Sequence, residues 1–239
     1  SLHESTRGQG LQIHVVDDGS TEDSTPLSEL ASDLGFSFEK RDRAQGFTKT
    51  VNGFLQTVQT EEIFIVNSDT VVSSGWLDKM LAWLRLHRDV GLVSPLSNAA
   101  GYQSIPRNSP SFREKFRRQT PINSLPRGLT ISQVNFLLES SSRAILRVPS
   151  VHGFFLGLKR SFVEDVGLLD EDLFPLGYGE EIDYAIRGTN RGWSSCVAYD
   201  TYVWHVKSAS FGSKQKAALS LAGKNALIGK HGKSRLDHI

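Results

Sequence analysis

Apolar residues fall in short runs that stop at small polar or acidic residues. The sharpest is Ile63-Phe64-Ile65-Val66, which gives way to Asn67-Ser68-Asp69-Thr70. Four apolar residues in succession, three of them β-branched, predict a strand buried on both faces, as in the middle of a parallel sheet. Leu11 to Val16 predicts an earlier strand, ending in Asp17-Asp18-Gly19-Ser20, where the glycine permits a sharp turn. Phe36 to Glu39 alternates as a short strand, and Gly91 to Pro95 reads as another buried one. Helical spacing covers Thr48 to Thr60 and Gly75 to Arg88, the latter with Trp76, Met80, Trp83, Leu84 and His87 near one side as core. Ser20, Thr21 or Ser24 can cap a further helix that has Pro26 near its first turn. Strand and helix alternate through this half, which predicts a parallel, right-handed α/β unit.

The second half is less regular. Ser97 to Thr130 is rich in Ser, Asn, Pro and Arg and predicts a long loop, with a basic cluster at Arg113, Lys115, Arg117 and Arg118 that reads as a solvated face. Ile131 to Ile145 predicts a helix. Val148 to Lys159 predicts a strand whose glycines, Gly153 among them, let something approach the backbone closely. A short helix over Ser161 to Val166 and a loop over Gly167 to Gly179 lead to a helix that opens with Glu180-Glu181-Ile182-Asp183. Acids suit a first turn, and Asp183 with Arg187 makes an i,i+4 pair. Ser195 to Ala198 and Tyr202 to Val206 are strand-like, and Ser213 to Lys230 predicts a basic helix that packs back on the body. The expected organisation is one domain over 1–239: a nucleotide-binding half (1–95), an acceptor and catalytic half (96–212) and a helical tail (213–239).

Composition narrows the classes. A chain of 239 residues, 38% hydrophobic and 22% charged, is long enough for one large α/β domain. The net charge of +1 supplies no global field for nucleic acid, so no nucleic-acid partner is expected. The single cysteine, Cys196, excludes an internal disulfide and a Cys-rich metal site, and fits a reducing, cytoplasmic setting. No apolar run approaches the ~20 residues of a membrane helix, which leaves peripheral membrane association open. No signal peptide is visible.

Acids at strand tips are the candidate chemistry. Ligands of open α/β sheets collect beyond the carboxyl ends of the strands. There Asp69 can hold a hard cation through oxygen, or it can simply cap the next turn. His205 can complete the metal site, or be a satisfied core histidine. Oxygen ligation with one imidazole suits Mn2+, with Mg2+ next. One of Glu180 and Glu181 can act as general base, although a helix N-terminus weakens a base unless burial or nearby negative charge compensates. Such a set suits a reaction in which a nucleotide diphosphate leaves.

These motifs resemble, in order and over nearly the whole chain, a family 2 inverting glycosyltransferase of GT-A fold. The resemblance implies a mixed, mainly parallel sheet flanked by helices. Val15-Val16-Asp17-Asp18-Gly19-Ser20-Thr21 resembles the nucleotide-binding acidic tip, so Asp18 is expected at the base with Asp17 beside it. Gly46-Phe47-Thr48-Lys49-Thr50-Val51-Asn52 resembles the next nucleotide-contacting segment, which implies Lys49 and Asn52. Asn67-Ser68-Asp69 stands in place of the DXD motif, with Asn67 for its first acid and Asp69 kept as the metal ligand. Asn67, Ser68 and Gly153 are expected to meet the nucleotide-sugar.

Gly179-Glu180-Glu181-Ile182-Asp183 resembles the Glu-Asp motif of the catalytic base, which puts Glu181 first and Glu180 second. Val203-Trp204-His205 resembles the late histidine of the metal site. Leu96-Ser97-Asn98-Ala99-Ala100 and Ser208-Ala209-Ser210-Phe211-Gly212 look like a bacterial, rhamnosyltransferase-like branch. The implied partners are a nucleotide-diphosphate sugar donor and a glycan or other hydroxyl acceptor, in glycan or polysaccharide synthesis. Family members open with a strand and a helix before the first acidic tip. This chain starts near the end of that helix, at Ser1-Leu2-His3-Glu4-Ser5, so weak donor binding by these residues alone is expected. Competing classes are a nucleotidyltransferase, whose Gly-rich phosphate loop is not visible, a binding module that keeps the fold without catalysis, and a glycoside hydrolase, which needs no metal.

Overall fold

The structure is a computed structural model that describes residues 1–107, 122–140, 145–207, 213–237 and 239. In chain order the elements are α1 (Leu2–Thr6), β1 (His14–Asp17), α2 (Thr25–Asp33), β2 (Ser37–Lys40), α3 (Phe47–Thr57), β3 (Glu62–Val66), β4 (Thr70–Val72), α4 (Trp76–Leu86) and β5 (Val90–Ser97). After a single 3-10 turn at Gly101–Gln103 come α5 (Ile131–Glu139), β6 (Leu146–Val148), β7 (Phe155–Lys159), α6 (Arg160–Val166), α7 (Glu180–Thr189), β8 (Ser194–His205), α8 (Ser213–His231) and α9 (Lys233–Leu236).

The strands form two sheets. β1 and β2 pair in parallel by themselves, and six strands make the main sheet in the order β3-β7-β5-β8-β4, with β6 also on β8. β5 and β8 run parallel, and β7 lies antiparallel between β3 and β5, so β3, β5 and β8 share one direction. β4 and β6 run against β8. The architecture is the expected mixed α/β sheet flanked by helices.

Several elements depart from the sequence expectation. Ile63 to Val66 is a strand, but β3 sits at an edge of the main sheet with an antiparallel neighbour, and only Ile63 is buried. Its continuous apolar run reports burial propensity, which an edge position only half satisfies. Among the described residues β1 is likewise paired on one side alone, so the expected unbroken parallel unit is split after β2. The strand expected over Val148 to Lys159 is two strands, β6 and β7, with the Ser150–Phe154 segment between them. The two late strands are one, β8, in which the register against β5 shifts between Pro95 and Leu96 and loops out Tyr199-Asp200-Thr201. Those polar residues interrupt the apolar run, yet the ladder resumes beyond them. Residues 97–107 are held rather than open: Ser97 bridges Ser104, and Asn123 bonds back to Asn98 and Arg107. The basic cluster at 113–118 lies outside the described residues.

α4 shows why its sequence folds as it does. Trp76, Leu77, Met80, Trp83 and Leu84 recur at helical spacing and are all buried in the core that covers one face of the main sheet. Phe155 of β7 is fully buried there, edge-on to the Trp76 ring at 5.1 Å. α3 and α6 pack on the other core through Val51, Leu55, Phe162 and Val163. Cys196 is enclosed in the first core, and burial pushes its thiol up to about 12, which keeps it unreactive. α8 buries Leu227 against Phe174, Ile182 and Ile186.

Edge and centre make different demands on stability. Phe155→Ala is expected to cost about 3–5 kcal/mol, and Phe64→Ala, on the half-buried edge strand, clearly less. Urea denaturation of both variants checks the order.

Candidate active site

The site begins with a register. β4 runs antiparallel to β8 with Thr70 opposite His205, and the Val206 N–H donates to the Asp69 carbonyl at 2.8 Å. That pairing brings the His205 Nε2 to 3.2 Å from Asp69 Oδ1. His205 is 4% exposed. Its burial, and next the charge of Lys207, lower its pKa against the pull of Asp69, so the imidazole is neutral at pH 7. Neutral imidazole is the form that ligates a metal.

Phe154 carries the pair to the second half of the site. Its ring stacks on the His205 ring at 5.1 Å and 16°. Its carbonyl accepts the Asn67 N–H at 3.0 Å. The residue before it, Gly153, lies against both glutamates of α7: a Cβ placed there would stand 3.3 Å from Glu180 Oε1 and 3.6 Å from Glu181 Cβ. The acidic tip, the late histidine and the acidic helix start therefore meet across one short segment. Gly153, expected to meet the nucleotide-sugar, leaves room for both acids.

The two glutamates differ in their commitments. Both are 6% exposed. Glu180 turns back to accept the Gly179 N–H at 3.0 Å and so closes its own helix start. Glu181 stands near Tyr102, whose phenol is held protonated by burial first and by the charge of Glu181 as well, against the hydrogen bond from Ser150. Both carboxylates thus sit out of water in the first turn of one helix.

In the first half, the paired acids are both used by the chain. Asp17 accepts the Ser20 N–H at 2.8 Å, and hydrogen bonds from Ser20 lower its pKa. Asp18 accepts from the N–H of Gln45 at 3.1 Å and of Gly46 at 2.8 Å, and from Arg41 at 3.3 Å. Burial opposes its charge, but these donors and Thr50 outweigh that and lower its pKa. Asn52 is buried and spends its amide on the loop after α6, donating to Leu169 O and Glu171 and accepting from Leu169 N. Lys49 and Ser68 are exposed, and Asn67 is half-buried.

Two supporting residues had a signal in the sequence but no assigned role. Asn98, fully buried after β5, accepts the His205 N–H at 2.7 Å and donates to the His205 carbonyl at 2.9 Å. Gln103 donates to Ser94 and Pro95 and accepts the His152 N–H, which fixes the segment leading to Gly153. Both fall in or beside Leu96-Ser97-Asn98-Ala99-Ala100. The other such motif, at 208–212, lies outside the described residues.

The family description "Glycosyl transferase family 2" matches residues 1–166. The chain belongs to this family. Similar solved structures include GalNAc-T7 with UDP, GalNAc and Mn2+, at 15% identity over 81% of this chain and 37% of that one, with a TM-score of 0.60. A mannosyltransferase, PcManGT from Pyrobaculum calidifontis, in complex with GDP-Man and Mn2+, is 18% identical over 95% of this chain and 63% of its own, with a TM-score of 0.53. S. aureus TarS is 13% identical over 98% of this chain and 41% of its own, also at 0.53. No curated protein matches. The chain thus spans between 37% and 63% of these three structures, and the likeness establishes the GT-A fold.

In this family 2 domain the donor set can be tested against a divalent ion. Asp69 and His205 offer one carboxylate oxygen and one imidazole nitrogen within reach of a shared ligand, a set that fits Mn2+ or Mg2+. Among the described residues no group of three or more His, Cys, Asp or Glu is gathered. The remaining ligands would come from a bound phosphate and water.

Two variants test this scaffold. Asn98→Ala leaves the buried N–H and carbonyl of His205 without their partner, and is expected to cost about 2–4 kcal/mol in chemical denaturation. Asp18 has a folded pKa below its unfolded one, so its stabilisation is present above the unfolded value and lost as pH falls through the folded one. Asp18→Asn is therefore expected to lower stability by about 1 kcal/mol at pH 7, with the gap to wild type closing as pH drops below about 4.

Proposed function

We propose that this domain is a metal-dependent inverting glycosyltransferase that moves a sugar from a nucleotide-diphosphate donor to an acceptor hydroxyl. The observation that carries the reading is the convergence of the Asp69–His205 pair and the Glu180–Glu181 pair on Gly153-Phe154. The neighbours solved with UDP, GalNAc and Mn2+ and with GDP-Man and Mn2+ support the donor class and the metal.

Glu181 is the base, because Glu180 is engaged in closing the start of α7. It takes the proton of the acceptor hydroxyl. The freed oxygen attacks the anomeric carbon on the face opposite the diphosphate, the bond from that carbon to the phosphate oxygen breaks, and its electron pair leaves on the nucleotide diphosphate. The configuration inverts. Asp69 and His205 hold the divalent ion, which when bound neutralises the leaving diphosphate. Lys49, Asn67 and Ser68 are the donor contacts with groups to spare. Asp17, Asp18 and Asn52 are engaged by the chain's own donors and shape the walls of the nucleotide side.

Glu181→Gln is expected to lower transfer by about 10²–10⁴-fold at saturating donor while the protein stays folded; unchanged transfer would overturn the assignment. Asp69→Asn and His205→Ala are expected to abolish the extra thermal stabilisation that Mn2+ gives in the presence of a nucleoside diphosphate.

The edges of β1 and β3 that have no partner strand among the described residues bear on activity as well. α3 spans both strands, with Phe54 against the His14 ring at 5.3 Å and Val51 and Leu55 packed with Ile63. We infer that a nucleotide side built on a two-stranded sheet binds donor weakly. Tight binding of a nucleotide sugar by this chain in calorimetry would refute that inference.

A further inference from the structure

We propose that α8 is a positioning element for the base, acting through Lys230 and through the close seat of Gly223. The inference rests on Glu181 being that base. Asp183 lies two residues beyond Glu181 in α7 and is fully buried. Its carboxylate accepts from Arg187 Nε at 2.8 Å on its own helix, and from Lys230 Nζ at 2.8 Å and His231 Nε2 at 2.7 Å on α8. Lys230 also reaches Asp170 Oδ2 at 2.7 Å, in the loop that leads to α7. One side chain of α8 therefore ties both the base-bearing helix and the loop before it. A buried carboxylate without such partners would be costly, so the ties are strong constraints on where α7 sits.

The second observation is steric. At Gly223 a Cβ would stand 1.7 Å from the Tyr178 carbonyl oxygen, so α8 lies directly on the backbone that enters Glu180. Tyr178 has φ of 66°, a left-handed conformation that costs energy in a residue with a side chain. Leu227, one turn on, packs with Phe174 and Ile182 and stands 3.3 Å from the Cβ position of Gly179. The strained turn thus lies under the seat of α8. On the other side, Glu181 faces Gly153. Movement of α8 displaces the start of α7 and, with it, the carboxylate that must face the acceptor hydroxyl. Lys230 touches no reacting atom and is a positioning residue.

The test uses the full chain and compares Lys230→Met, which keeps the apolar stem, with Lys230→Arg, which keeps the charge. Lys230→Met is expected to lower kcat about 10-fold or more with donor KM nearly unchanged, and Lys230→Arg to restore most of it. Lys230→Gln carries the same expectation, should the methionine variant fail to fold. Wild-type kcat in the folded Met or Gln variant, at a temperature below its unfolding transition, overturns the proposal and leaves α8 a structural support only. Glu181→Gln run in parallel separates the two readings: full transfer there removes the base assignment itself, whereas loss of transfer there together with wild-type Lys230→Met removes only the role of α8.

Discussion

The register of β4 against β8 is the constraint on which the site depends. Thr70, Val71 and Val72 face His205, Trp204 and Val203. Side chains alternate along a strand, so a slip of one residue would turn His205 to the other face and take its ring away from Asp69. Two features resist that slip. On one side the Val206 N–H is anchored to the Asp69 carbonyl. On the other, Asn98 at the end of β5 grips both backbone groups of His205. The residue is therefore held from two neighbouring strands, and its ring is left to stack on Phe154. A ligand pair whose atoms come from positions 69 and 205 needs such a double hold, because no local turn brings them together.

Much of this was legible in the chain. Runs that end in acids marked the tips at Asp17 and Asp69, and the acidic start of α7 stood out against a helical pattern. Of the α4 core that spacing predicts, Trp76, Met80, Trp83 and Leu84 are buried, whereas His87 lies just past the helix end and is half-buried. What remained hidden is long-range. The partner of Asn98 is 107 residues away, that of Asn52 is 117 away, and Asp18 meets a loop 28 residues on. Asparagine and aspartate are ordinary loop residues in any window of sequence, so a buried clip and a solvent-facing side chain look alike there. The position of β3 was misjudged for a related reason. Ile63 to Val66 satisfies every local rule for a central strand, and whether a strand is central depends on its neighbours. Here, among the described residues, β3 has β7 on one side and no strand on the other.

The split of the sheet and the integrity of the half that holds the proposed metal ligands are compatible because the two are anchored differently. The Asp69–His205 pair hangs on β8, which is bordered by β5, β4 and β6. Asp17 and Asp18 hang on a two-stranded sheet, secured to the body through α3: Asp18 to Gly46, Thr48 to Phe174, Asn52 to Leu169. A two-stranded sheet is marginal by itself. The first half consequently relies on side-chain clips at places where the other half has a backbone ladder, which explains why its acids are engaged in holding the chain.

Electrostatics gives the reason the proposed reaction needs a cation at this place. Asp69, Glu180 and Glu181 gather carboxylates around Gly153-Phe154, and Glu180 and Glu181 are almost wholly withdrawn from water. A nucleotide diphosphate arriving there would add further negative charge at short range, where reduced solvation strengthens repulsion. His205 cannot relieve it by protonation, since burial and Lys207 keep the ring neutral. A divalent ion, which Asp69 and His205 would hold, would supply positive charge on that side, while Glu181 faces Gly153. The crowding of acids that would repel the donor is therefore the reason a cation is needed on the Asp69 side, where a carboxylate oxygen and a neutral imidazole stand 3.2 Å apart.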